Sequence, residues 1–193
     1  MLFHIFEKIN NNLETSTIND YKKIIAICKD IYLKKSKDYG SAWRILRAPS
    51  LTDQIFIKAQ RIRSTQEKKE MKIDEKIDNE FIGIINYCIM AIIQIESDDE
   101  NIDISLNDLE KLYDNYSHEI MNLLSDKNHD YDEAWKEMRI SSMTDIILMK
   151  LYRTKQIENN DGKTLISEGI KANYQDIVNY SVFCLIKLLI YKE

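Results

Sequence analysis

The sequence predicts an all-α protein, a tandem duplication of an approximately four-helix unit whose copies pack as a pseudo-twofold helical bundle. Two observations carry this. Among 193 residues only 4 are Gly and 1 is Pro, too few for the turns of a strand-rich chain. One stretch also occurs twice at a constant offset of 92 residues. Between residues 38–63 and 130–155, eleven of twenty-six positions are identical: Asp38, Tyr39, Ala42, Trp43, Arg47, Ser50, Thr52, Asp53, Ile55, Lys58 and Arg61. The last helices align with one extra residue, pairing Glu75 with Glu168, Ile77 with Ile170, Ile84 with Ile177, Asn86 with Asn179 and Tyr87 with Tyr180. An interlocked bundle is expected rather than two separate beads, because a unit of about 80 residues alone has a marginal core.

Taken in order, residues 1–18 read as an N-terminal extension, an apolar start followed by a polar run at Asn10-Asn11-Asn12. The first repeat spans 19–96. Its first helix opens near Asn19-Asp20, and Ile24, Ile27, Cys28, Ile31 and Tyr32 recur at three- and four-residue spacing, giving one apolar stripe. Gly40 can take the left-handed backbone that ends a helix. A short helical turn carries Ala42, Trp43 and Leu46, and Pro49 breaks it. Ser50-Leu51-Thr52-Asp53 then has capping-box spacing, so a helix is expected to open at Ser50, and another at Ser142. A further helix covers about 74–96. Residues 97–105 are an acidic linker, and the second repeat, 106–193, repeats the order.

The composition is 44% hydrophobic and 31% charged, with a formal net charge of -5. This fits a folded domain with no general attraction to nucleic-acid phosphates or anionic membranes. No apolar run reaches the roughly 18 residues of a membrane span, and no signal-peptide pattern is present. Cys28, Cys88 and Cys184 lack CxxC spacing and sit in apolar helical runs, which fits buried thiols in a reducing, cytoplasmic setting. His4, His118 and His129 form no zinc-ligand pattern, and GxGxxG, P-loop and GxSxG motifs are absent.

Trp43 and Trp135 read as buried anchors. Lys58 with Arg61, and Lys150 with Arg153, form an i,i+3 pair in each copy. With Asp53 at zero on a helical wheel of about 100° per residue, Arg61 falls near 80° and Lys58 near 140°, opposite Ile55, Phe56, Ala59 and Ile62. Such a pair suits a phosphate clamp, a planar fork beside a point charge. It equally suits a solvated face or salt bridges to Asp38 and Asp130. Under the clamp reading, Asp38, Tyr39, Asp130 and Tyr131 orient the cations. Glu168, Asp176 and Asn179 fall within about 80° of one another on the last helix, an arrangement able to hold Mg²⁺ through oxygen ligands. The first copy has Gly83 where the second has Asp176.

At Lys37-Asp38-Tyr39-Gly40, Trp43, Lys58 and Arg61, and at Asp176-Ile177-Val178-Asn179-Tyr180, the chain resembles the nucleotide modification associated domain 1 family, here in a tandem-copy form. The resemblance covers nearly all of residues 20–190. It implies an all-helical fold and a link to nucleotides drawn from genomic context. The helical layout is also similar to the all-α nucleoside triphosphate pyrophosphatases, which hold Mg²⁺ on facing acidic helices. The expectation is therefore a protein that binds a nucleotide or related phosphorylated small molecule. One alternative is a Mg²⁺-dependent pyrophosphohydrolase with Glu168 and Asp176 as ligands; another is a structural interaction module. A homo-oligomer is compatible with the sequence.

Overall fold

The computed structural model describes residues 2–68, 77–97, 102–131, 133–166 and 168–192, with side chains described for all of these except 2–16 and 125–131. Six long helices follow one another: α1 (Leu2–Tyr39), α2 (Ala48–Glu67), α3 (Ile77–Glu96), α4 (Leu106–Tyr131), α5 (Ile140–Asn159) and α6 (Ile170–Leu185). Short 3₁₀ turns at Ala42–Ile45 and Ala134–Glu137 separate α1 from α2 and α4 from α5. The last helix continues as a π-helical segment, Ile186–Tyr191. Each copy thus contributes three long helices and one short turn.

Equivalent helices meet across the duplication: α1 packs on α4, α2 on α5 and α3 on α6, while α2 lies against α3 and α5 against α6 within each copy. That pattern is a pseudo-twofold axis. One continuous core runs through it, with Ile24 and Cys28 from α1, Ile55 and Ala59 from α2, Ile85 and Cys88 from α3, and Tyr113, Ile147 and Ile177 from the second half. All three cysteines are free and buried. Burial pushes the Cys28 thiol up to about 12, so it is a packing group rather than a nucleophile.

The two copies are tied by crossed polar pairs that obey the pseudo-symmetry. The Tyr21 hydroxyl on α1 donates to Asn179 Oδ1 on α6 at 2.9 Å, and the Tyr113 hydroxyl on α4 donates to Asn86 Oδ1 on α3 at 2.9 Å. Each tyrosine therefore satisfies the asparagine of the other copy. Asn86 uses its amide to donate to the Cys28 carbonyl at 3.1 Å. Lys155 bridges to Asp53 at 2.7 Å, and Arg63, its counterpart, to Asp145 at 3.7 Å. Thr52 donates to Glu158 at 2.5 Å, and the equivalent Gln66 donates to Thr144 at 3.1 Å.

Several expected boundaries move. α1 runs back without interruption to Leu2, so the stretch expected as an N-terminal extension is helical in backbone. Neither Gly nor Pro interrupts it there. Ile27, placed on the apolar stripe by spacing, is 43% exposed. The capping boxes are not formed. α2 opens after Arg47, which is extended, and Pro49 lies in the first turn, where its missing N–H costs nothing. α5 likewise opens after Arg139. Ser50 and Ser142 are therefore inside the first turn rather than at the cap, and Asp53 and Asp145 serve the cross-copy ion pairs. No helix among the described residues is long and apolar enough to cross a membrane.

Candidate functional site

Gly40 takes φ +62 and returns its N–H to the Ser36 carbonyl at 2.9 Å, closing α1. The chain reverses there, and the 3₁₀ turn brings Trp43 back beneath the helix end, where it is buried. The turn is held from α3, since Gln94 donates to the Arg44 carbonyl at 3.3 Å. Its counterpart on the other side, Lys187, donates to the Lys136 carbonyl at 2.8 Å. The end of the linker meets the same turn at Ile102 and Ile104, residues 98–101 lying outside the described residues: the Ser41 hydroxyl donates to the Ile102 carbonyl at 2.6 Å and accepts from the Ile104 N–H at 2.9 Å.

Between the end of α1, this turn, α2 and α3 lies a cleft of about 360 Å³. Besides the apolar Ile31, Ile82 and Met90, its walls carry three kinds of group. Tyr32, Tyr39, Trp43 and Tyr87 are aromatic; Lys35 and Lys58 are cationic; Ser36, Asn79 and Asn86 are neutral and polar. Tyr39 sits at the mouth, 57% exposed. Its hydroxyl is held above the ordinary tyrosine value, first by partial burial and then by neighbouring Tyr87 and Asp38. The Tyr32 hydroxyl is buried near Trp43 and Ser36 and makes no close hydrogen bond among the described residues.

Lys58 extends across the face of α3 at Gly83. A Cβ built on Gly83 would lie 2.7 Å from Lys58 Cε and 2.9 Å from its Nζ, so a side chain there would push the flexible end of the lysine aside. The Lys58 ammonium then reaches Glu80 Oε2 at 3.0 Å, and Arg61 reaches Glu80 Oε1 at 3.3 Å. The ammonium lies 5.9 Å from the Tyr87 ring centroid. An ammonium has three donors. One serves Glu80, and no other acceptor for it is found among the described residues.

Glu80 is the organising acid here, rather than Asp38. Asp38 is exposed and pairs with neither Lys58 nor Arg61 among the described contacts. Comparison of the copies by identity hides Glu80, because Asn173 stands at its place in the second copy. The signal is a complementary exchange: Glu80 and Gly83 in α3 become Asn173 and Asp176 in α6. The acid moves three residues, close to one helical turn, and stays on the same face.

In the second copy Lys150 pairs with Asp176 and is 8% exposed. Arg153 is half-buried and makes no ion pair with a described residue. The side chains of Asp130 and Tyr131 lie outside the described residues. Glu168 precedes α6 and is exposed, so the wheel that placed it beside Asp176 does not apply to it. Among the described residues no group of three or more His, Cys, Asp or Glu side chains is arranged to hold a metal ion.

Fold and cleft together define an all-α, internally duplicated protein with an aromatic and lysine-lined cleft in its first half. The chain belongs to the nucleotide modification associated domain 1 family, whose model matches residues 35–95 and again 127–188. Each match begins near the end of α1 or α4 and runs through the third long helix of its copy. Comparison with curated proteins and with solved structures returns no match.

Proposed function

We propose that the first-copy cleft binds a nucleotide or a related phosphorylated small molecule, in support of nucleotide modification. The observation that carries this reading is Lys58, whose ammonium lines an aromatic-walled cleft with one of its donors used among the described residues. Anionic oxygens suit Lys58 and Lys35, and a planar base suits the Tyr39, Trp43 and Tyr87 faces. Arg61 stands on the far side of Glu80 and helps to fix the acid that aims Lys58.

The structural-module reading draws support from the same ion pairs, which would serve packing alone if the cleft had no occupant. Thermal denaturation against AMP, ADP, ATP, dTTP and pyrophosphate, each with and without Mg²⁺, separates the two. A ligand at ten times its Kd adds about 1.4 kcal/mol, equivalent to roughly 3–6 °C in Tm for a chain of this size. Lys58→Ala is expected to weaken binding at least tenfold, with Glu80 still paired to Arg61. No shift with any nucleotide would reject the binding reading. Release of pyrophosphate from a triphosphate would show that the protein is a hydrolase as well.

A further inference from the structure

The polar walls of the cleft differ in what they still offer a ligand. The buried neutral groups are committed within the fold. Ser36 donates to the Tyr32 carbonyl at 2.9 Å. Asn86 donates to the Cys28 carbonyl and accepts from the Tyr113 hydroxyl. The charged walls are Lys58 and Lys35. Lys35 is exposed and makes no ion pair with a described residue. Lys58, Arg61 and the Glu80 they share leave one uncompensated positive charge, and Lys35 adds a second. Both Glu80 oxygens are taken by those two cations, and no carboxylate stands among the described walls. The Lys58 ammonium lies 5.9 Å from the Tyr87 ring centroid, so cation and aromatic wall are neighbours. At about 360 Å³ the cleft is at the small end of ligand pockets, which run from roughly 300 to 1,000 Å³.

We infer that the cleft takes its nucleotide as a monophosphate, without a metal ion. The inference rests on the nucleotide reading and names the class of ligand within it. A phosphate monoester carries about two negative charges at neutral pH, which the two uncompensated positive charges balance. Its phosphate is one ester bond from the nucleoside. A base against Tyr87 and Tyr39 therefore leaves the phosphate in reach of Lys58, inside a cleft too small for a long chain. A triphosphate carries more charge and more length. Proteins commonly offset that charge with Mg²⁺ shared between the phosphates and one or two carboxylates, and the described walls supply no carboxylate.

Isothermal titration of the full chain with AMP, GMP, CMP and dTMP, each in EDTA and in Mg²⁺, tests this, with the matching triphosphates run in parallel. At least one monophosphate is expected to bind with an affinity that changes less than twofold between EDTA and Mg²⁺. It should bind at least tenfold more tightly than its triphosphate in either condition. Lys35→Gln should weaken that monophosphate at least fivefold with Tm unchanged, since the side chain it replaces is exposed. A preference for the monophosphate below tenfold, a monophosphate that needs Mg²⁺, or unchanged affinity in Lys35→Gln would overturn the monophosphate inference and leave the nucleotide reading standing. No binding by any of these nucleotides would overturn both.

Discussion

Tyr32 and Tyr113 offer a controlled comparison, because their rings lie side by side with centroids 5.0 Å apart and both are fully buried. Their hydroxyls differ. That of Tyr113 donates to Asn86 Oδ1 at 2.9 Å, across the copies, whereas that of Tyr32 makes no close hydrogen bond among the described residues and has only the looser neighbourhood of Trp43 and Ser36. Tyr113→Phe removes one donor and leaves a buried amide oxygen unsatisfied, which costs about 1–3 kcal/mol. Taking about 2 kcal/mol, Tm should fall by roughly 4–8 °C in a chain of this length. Tyr32→Phe removes a desolvated group whose only polar neighbours are the looser contacts with Trp43 and Ser36, so its effect should lie within about 1 kcal/mol of zero. Urea denaturation of both variants at one pH, with m unchanged, gives the two values. The reasoning fails if Tyr113→Phe is no more destabilising than Tyr32→Phe. It would then follow that the crossed tyrosine–asparagine pairs do not hold the copies together.

Glu158 is half-buried beside Thr52 and Tyr174. Burial raises its carboxyl above the usual range, so ionisation opposes folding, and its contribution is lost as pH rises through the folded value. Glu158→Gln mimics Gln66 at the equivalent site and should stabilise the protein at pH 8 by up to about 1 kcal/mol, with the gain shrinking by pH 4 in parallel urea titrations. At the alkaline end, burial raises the Tyr21, Tyr113 and Tyr174 hydroxyls above their ordinary 10.0 and the Cys88 and Cys184 thiols above 9.0. The folded chain then holds protons that the unfolded chain releases. Stability should be fully present below about pH 9 and fall by about 1.4 kcal/mol per pH unit for each group passed; a urea midpoint unchanged at pH 10.5 would contradict this. Ser50→Ala should cost under about 0.5 kcal/mol, since Ser50 is not an N-cap, whereas loss of a true cap costs about 1 kcal/mol. Asp53→Ala should cost under about 1 kcal/mol and lose its effect in 1 M salt, as an exposed ion pair does.

The duplication was legible in the sequence because identity at a fixed offset needs no geometry. From it followed the pseudo-twofold packing, the paired lysines and arginines and the tryptophan anchors, while the scarcity of Gly and Pro pointed to the helical class and residue type alone to the left-handed stop at Gly40. These are local or periodic properties, written into residue type and spacing. Helix starts were less legible. A serine with an acid three residues on fits a capping box, and the choice between that box and an opening two residues earlier depends on where the preceding turn leaves the backbone. Ile27 shows the same limit, since its spacing fits the stripe but its exposure is set by what lies opposite.

The site divides in the same way. Lys58 and Arg61 could be picked out from repetition alone, but their partner could not, because Glu80 is not repeated. Nothing local says that Tyr21 will meet Asn179 or that Tyr113 will meet Asn86, residues 158 and 27 apart. The sequence by itself determined two copies of one helical unit and the cations they share. Only the tertiary structure decided which acid holds Lys58 and Arg61 and which side chains wall the cleft, because these outcomes depend on residues far apart in sequence that packing brings together.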